Sequence, residues 1–252
     1  MAESLGHAPA FPCVFVTGTD TGVGKTFVTS ALARHLKHRG LAVGVMKPIE
    51  TGVAHDAPGL SDADRLARAA GVLDALDLIT PYRFPDPLAP LAAARRAGLS
   101  VDVGVIARAV QVLRARHTVL LVEGVGGVLV PIGPQLDVRD LIARLGTPVL
   151  VVGRASLGGV NHALLTVEAV RQRGLTVLAI ALNEPAPTPA TPAVELQVES
   201  TVELIRELTG APVFGPLRHV PSGGQSCEAT LDTIAQDNSI SSLADLVLKG
   251  AR

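Results

Sequence analysis

The sequence predicts an α/β fold built around a parallel sheet that is covered on both faces, and three observations predict it. Short apolar runs alternate with amphipathic stretches of ten residues or more, the pattern of right-handed βαβ units. Of the 252 residues, 48% are hydrophobic but only 2% aromatic, so the core is made of Val, Leu, Ile and Ala. Such residues suit strands buried on both faces. The first apolar run leads into a glycine-rich turn that opens a helix.

The elements follow in order. Cys13–Thr17 reads as a short buried strand. Gly24 to Arg39 reads as a helix, with Phe27, Ala31 and Leu32 on one face and Gly40 as its stop. Leu41–Met46 is a second strand, and Asp62–Ala70 a helix with Ser61 as its cap. Val101–Arg116 is an amphipathic helix that Asp102 can cap, followed by a third strand at Thr118–Val122 and a fourth at Thr147–Val152. Val160–Arg173 is a helix ended by Gly174, and Thr176–Leu182 a fifth strand. A helix at Val198–Thr209 and a short strand at Ala211–Phe214 complete the pattern. Pro81–Pro90 and Glu184–Ala193 each hold four prolines and read as surface loops, too short to separate domains. One domain over 1–252 is expected, with 1–12 and 225–252 peripheral to it.

Composition narrows the function. The formal net charge is -1, which provides no field for nucleic acid or an anionic membrane. Cys13 and Cys227 lack any CxxC or Cys/His spacing, so zinc is not expected, and Cys13 reads as a small core residue. Met1–Pro12 lacks a basic n-region, and no apolar run approaches ~18 residues. The cytoplasm is the expected compartment.

The strongest motif is VFVTGTDTGVGKT, Val14 to Thr26. Gly22 and Gly24 let the backbone turn its N–H groups toward one point. The helix N-terminus adds about half a positive charge there. Lys25 can reach the β- and γ-phosphates of a nucleotide, and the Thr26 hydroxyl can ligate Mg2+. Five residues separate Gly18 from Gly24, one more than the generic phosphate loop has. The alternatives are a glycine turn without a ligand, or a dinucleotide loop. The latter lacks its GxGxxG spacing and leaves Lys-Thr unexplained.

Two further segments follow apolar strands, where a parallel sheet collects its ligands. Lys47, before Pro48, is held extended and aimed by a stiff backbone, as a phosphate-facing cation or as a solvated turn lysine. Glu123 ends the run Val119–Val122, as the acid that holds Mg2+ or as a plain strand-end acid. Gly124, Gly126 and Gly127 beside it allow close approach of substrate. Asp62 and Asp64 fit ordinary N-terminal helix charge, the reading that spacing alone favours for Asp62 over a Mg2+ ligand.

Together these segments resemble dethiobiotin synthetase. The resembling pieces are GTDTGVGKT at Gly18, KPIETG at Lys47, SDADRL at Ser61, PYRFPDPLAP at Pro81, VEGVGGVLVPI at Val122, LGGVNHALLT at Leu157 and the strand end Leu182-Asn183. The longer phosphate-loop spacing also belongs to that family. The resemblance covers residues 13 to 220 and implies a single doubly wound P-loop domain that forms a homodimer. It implies ATP and CO2 (as bicarbonate) as co-substrates with 7,8-diaminononanoate. One amine becomes a carbamate, the carbamate takes the γ-phosphoryl group, and the second amine closes the cyclic urea. Matching positions imply Lys25 and Lys47 as catalytic cations, and Thr26, Asp62 and Glu123 as Mg2+ ligands. They imply Gly22, Val23, Gly24, Phe27, Gly126, Asn183 and Arg218 around the nucleotide. Thr21 and Thr51 are implied near the reacting amines, with Gly158, Gly159, Val160 and Asn161 on the distal carboxylate across the dimer. Gly22 stands where some members carry an acid, and Gly215-Pro216-Leu217-Arg218 replaces a more usual pattern, which leaves the base contacts open.

Two relatives of the same core are the rival readings. An amide-forming synthetase needs a glutaminase domain with a Cys nucleophile, and nothing after residue 220 fits one. A partitioning or division-site ATPase carries an extra Lys early in the loop, where this chain has Asp20.

Overall fold

The computed structural model describes residues 12–53, 61–187, 189, 191–219 and 227–250. In chain order the elements are β1 (Cys13–Gly18), α1 (Lys25–His38), β2 (Val43–Met46), β3 (Ile49–Thr51), α2 (Asp62–Ala70), α3 (Leu76–Ile79) and β4 (Tyr82–Phe84). Next come α4 (Pro90–Arg96), α5 (Val103–Arg116), β5 (Val119–Gly127), β6 (Pro131–Gly133), β7 (Leu136–Asp137), α6 (Val138–Leu145) and β8 (Val149–Arg154). The rest are α7 (Gly159–Gln172), β9 (Val177–Asn183), α8 (Pro192–Thr209), β10 (Val213–Leu217), α9 (Cys227–Ala235) and α10 (Asn238–Gly250).

Six strands form one sheet in the order β10-β9-β8-β1-β5-β2. Every pairing in it is parallel. β1 sits inside, with Phe15 opposite Val122 on one side and Val149 on the other. Alternation along β1 divides the core in two. Cys13 and Phe15 point to the layer of α5, α6, α7 and α8, whose Leu113, Leu141, Val167 and Ile205 meet them. Val14 and Val16 point to the layer of α1, α2 and α10, through Leu32, Leu66 and Leu243. Helices therefore cover both faces, which is why the strands read as near-continuous apolar runs. Cys13 is buried as expected, and burial pushes its thiol up to about 11.

The helix signals mostly work as the sequence dictates. The Ser61 side chain accepts from the Asp64 N–H at 3.0 Å while the Asp64 carboxylate accepts from the Ser61 N–H, a full capping box. Asp102 caps α5 through the Gly104 N–H. Gly40 and Gly174, just past α1 and α7, adopt φ of 81° and 74°, the left-handed exit that glycine allows.

Two proline-rich loops need correction. Pro81–Pro90 contains β4, which pairs parallel with β3 so that Ile49 faces Tyr82 and Thr51 faces Phe84. A separate two-stranded sheet tolerates flanking prolines because their missing N–H groups fall outside the ladder. Glu184–Ala193 gives up its end to α8, which starts at Pro192 rather than Val198. Pro at the first helical turn donates no needed N–H, and Thr191 caps the helix through the Val194 N–H.

The expected peripheral ends behave unequally. Residues 1–11 lie outside the described residues, as do 220–226. The tail, however, packs on the body: Ile240, Leu243, Ala244 and Val247 of α10 are buried in the α1 layer. Arg34 of α1 ties α9 down through ion pairs to Glu228 and Asp232. Among the described residues no helix is long and apolar enough to cross a membrane.

Candidate active site

The glycine-rich turn joins β1 to α1 at the carboxyl edge of the sheet. Gly22 and Gly24 have φ of 72° and 93°, so the loop curls with its amides inward. No acid lies in the first turn of α1, which leaves the positive helix end free for an anion. The Lys25 ammonium donates to the Asp20 carbonyl at 3.0 Å, folded over its own loop. Burial, then the charge of Lys47, push the Lys25 pKa down to about 8 against the pull of Glu123, Asp62 and Asp20. A dianionic phosphate beside it would reverse that balance.

Two strands and a helix start converge on one cation. The Lys47 ammonium, at the end of β2, lies 2.6 Å from Glu123 Oε1 and 3.0 Å from Asp62 Oδ2. It also donates to the Gly124 carbonyl at 3.3 Å. Burial opposes the Lys47 charge, but the two carboxylates win and hold its pKa above the ordinary lysine value. The Thr26 hydroxyl donates to the same Glu123 oxygen at 2.8 Å. Burial pushes the Asp62 carboxyl up, yet the charge of Lys47 and hydrogen bonds from Lys47 and Thr26 leave it below its usual range. Thr26, Lys47, Asp62 and Glu123, far apart in sequence, thus form one contact cluster.

A cleft of about 660 Å³ opens above this cluster. Its walls include Thr21, Gly22, Gly24, Lys25, Thr26, Phe27, Lys47, Thr51, Asp62 and Gly126, so ten of the sequence-predicted site residues meet there. Glu123 is fully buried at the base, with Oε2 unpartnered among the described residues. Val23 is buried behind the loop, and its carbonyl accepts from the Asn183 amide at 3.0 Å. Asn183 therefore braces the phosphate loop from the end of β9. Arg218 lines a different groove, of about 530 Å³, with Glu184, Glu199 and Arg206. Gly158, Gly159, Val160 and Asn161 lie at the start of α7 and do not line the Lys47 cleft.

Sequence reasoning passed over Glu50, Arg65 and Leu88, which share the cleft wall. Glu50 had a signal: it is the one acid in the KPIETG segment, three residues after Lys47, and it is 5% exposed. Burial pushes its carboxyl up. Arg65 and Leu88 arrive by tertiary folding and carry no local mark.

The donor set bears on a metal. Among the described residues no group of three or more His, Cys, Asp and Glu side chains is arranged to hold an ion. What converges is two carboxylates and one hydroxyl, hard oxygen donors too few for a closed site. That set fits a cation that completes its shell with phosphate oxygens and water, the habit of Mg2+.

The comparisons agree with one another. The family described as an AAA domain matches residues 13–225. The ATP-dependent dethiobiotin synthetase BioD of Anaeromyxobacter sp. (strain Fw109-5) is 46% identical over 209 residues, covering 82% of this chain and 90% of that protein. Its counterpart in Anaeromyxobacter dehalogenans (strain 2CP-C) is 51% identical, covering 69% and 77%. That of Thermodesulfovibrio yellowstonii is 41% identical, covering 82% and 88%. Among solved structures, the MinD cell division protein of Aquifex aeolicus superposes with a TM-score of 0.55 over 94% of this chain and 96% of its own, at 14% identity. The MinC:MinD complex from the same organism gives 0.56 at 14% identity, over 94% and 95%. At that identity the likeness speaks of fold alone, a P-loop α/β sheet.

Proposed function

The chain belongs to the family of ATP-dependent dethiobiotin synthetases, and from that premise we propose that the cleft around Lys47 closes the cyclic urea of dethiobiotin, with Lys25 and Lys47 as its catalytic cations. The enzyme is an ATP-dependent ligase of biotin biosynthesis. The observation that carries the site assignment is the convergence of the phosphate loop, Glu123, Asp62 and Lys47 within hydrogen-bond reach.

The residues divide the work. Phosphoryl transfer needs positioned cations more than a covalent nucleophile. The amides of Gly22, Val23 and Gly24, with the start of α1 through Phe27, cradle the phosphates of ATP. Lys25 exchanges the Asp20 carbonyl for phosphate oxygens. Lys47, rigidly seated on Glu123, faces the carbamate and the γ-phosphoryl group and offsets the charge that builds between them. Thr26, Asp62 and Glu123 would hold Mg2+, which when bound neutralises charge on the β- and γ-phosphates. Thr21 and Thr51 offer hydroxyls near the reacting amines of 7,8-diaminononanoate, one of which adds to CO2 as a carbamate, while Gly126 lets substrate approach the backbone. Asn183 and the Arg218 groove receive the base.

The Gly158–Asn161 turn does not line the cleft of its own chain, which fits a homodimer in which it binds the distal carboxylate of a partner's substrate. Exposed Leu157, Leu165 and Leu129, at 84%, 61% and 58% exposure, supply an apolar face for that pairing. A cytoplasmic location fits a biosynthetic enzyme. The switch-ATPase reading is disfavoured by α10, whose apolar face is buried on α1 and unavailable for a membrane.

The test is phosphate release from ATP with Mg2+ and bicarbonate, with and without 7,8-diaminononanoate. Release that needs both the diamine and bicarbonate is expected. Release indifferent to the diamine would overturn the assignment.

A further inference from the structure

Glu50 is the third residue after Lys47, on β3, and the short rigid link Lys47-Pro48-Ile49 brings both side chains to one cleft. Its carboxylate is divided. Oε1 accepts from the Asp62 N–H at the start of α2, so it serves as a tertiary cap on that helix. Oε2 is buried and has no hydrogen-bond partner among the described residues. Glu50 makes no ion pair among them either. A buried carboxylate oxygen without a partner is unfavourable and calls for an explanation.

The other two acids of the cluster are already engaged. Glu123 meets Lys47 and Thr26, and Asp62 meets Lys47. Glu123 also keeps one unpartnered oxygen, but its charge is offset at 2.6 Å and it belongs to the donor set for the metal. Of these three acids only Glu50 has no ion-pair partner among the described residues, with the charge of Lys47 acting on it from farther off.

The substrate presents a matching problem. A lone alkyl amine has a pKa of about 10, and although the first ammonium on adjacent carbons disfavours the second, the diamine arrives with at least one ammonium. It enters a cleft whose wall carries the like-charged Lys25 and Lys47 and in which Asp62 and Glu123 are already paired with Lys47. We propose that Glu50 is a further substrate-binding residue, holding one amino group of the diamine as an ammonium ion on its free carboxylate oxygen. The inference rests on the dethiobiotin synthetase reading. It gives the amine that awaits ring closure a fixed seat beside the amine that takes CO2. The capping oxygen stays on α2, so one side chain both sets Asp62 and receives substrate.

The test is the Glu50→Gln variant, which keeps an acceptor for the Asp62 N–H and removes the charge. Binding of 7,8-diaminononanoate without ATP is measured by calorimetry, together with the KM for the diamine, the KM for ATP and the melting temperature. Diamine affinity is expected to fall about 10–100-fold, with the KM for ATP and the melting temperature little changed. Glu50→Asp, which keeps the charge, is expected to bind the diamine better than Glu50→Gln. Diamine binding equal to wild type in Glu50→Gln would overturn the inference and leave Glu50 as a helix cap only. A parallel loss of ATP binding and stability would overturn it as well, since the effect would then be structural. Wild-type protein that neither binds nor turns over the diamine would remove the functional reading itself, a failure separate from that of Glu50.

Discussion

Lys47 and Glu123, 76 positions apart in sequence, meet at 2.6 Å beneath the phosphate loop, and neither is more than 5% exposed at its side chain. Each makes the burial of the other tolerable. Removing one partner strands a buried charge, which costs about 3–5 kcal/mol. Lys47→Ala is therefore expected to lower the melting temperature by roughly 6–15 °C for a chain of this size and to cut diamine-dependent phosphate release at least ~100-fold. Adding Glu123→Gln should recover much of the stability and none of the activity. Thermal melts on the single and double variants check this. A double variant no more stable than Lys47→Ala would deny the coupling.

The contact between Gly24 and Asn183 gives a second prediction. A Cβ on Gly24 would sit 2.1 Å from Asn183 Nδ2, and the Gly24 φ of 93° already excludes most side chains. Gly24→Ala is expected to destabilise by about 3 kcal/mol, part collision and part backbone strain. It should also weaken ATP binding, since the Asn183 amide leaves the Val23 carbonyl. Pairing it with Asn183→Ala removes the collision but not the strain, so the double variant should be less impaired than the sum of the singles. Strict additivity in denaturant titrations would count against the contact.

Much of this site was legible because its signals are local. The phosphate loop, the acid after an apolar strand and the Ser61 cap each need only a few neighbouring residues to be read. Asp62 marks the limit. Spacing shows an acid at a helix start, the ordinary electrostatic preference, and only the fold reveals Lys47 at 3.0 Å. Glu50 was missed because its meaning depends on α2, reached across 12 positions of sequence. The same holds for β3 and β4. Each is three residues long, too short for periodicity to show, and they exist because each pairs with the other. The start of α8 was misread because prolines signal a loop until the cap at Thr191 turns Pro192 into a helix opening.

Asp74 predicts a pH dependence away from the active site. Its carboxylate accepts from Arg116 at 2.9 Å and lies 2.7 Å from His117 Nε2, tying the turn after α2 to the end of α5. Burial pushes the Asp74 carboxyl up, but those hydrogen bonds and charges leave it net below its ordinary value. A depressed carboxylate contributes stability above its unfolded pKa, near ~3.9, and loses it as pH falls through the lower folded value. Asp74→Asn should thus be less stable than wild type at pH 7, with the gap closing below about pH 4. A gap that does not narrow as pH falls below about 4 would assign the effect to packing rather than charge.

The proposed homodimer can be tested through Leu165 on α7. This side chain is 61% exposed and borders a shallow groove with Leu129, Thr21 and Asp20, beside the phosphate loop. Large apolar side chains gathered next to a catalytic cleft fit a surface that another protein covers. A charge placed there should stay solvated in a monomer and be unfavourable when buried against a second copy. Leu165→Glu is expected to shift the protein from dimer to monomer by light scattering, without loss of melting cooperativity. The two binding functions should then separate. The phosphate loop and its cations come from one chain, so the affinity for ATP should hold. The Gly158–Asn161 turn does not line the cleft of its own chain, so the KM for the diamine should rise as the partner is lost. A wild-type protein that is monomeric at enzymatically active concentrations would sink the dimer, and the distal carboxylate would then need a seat within one chain.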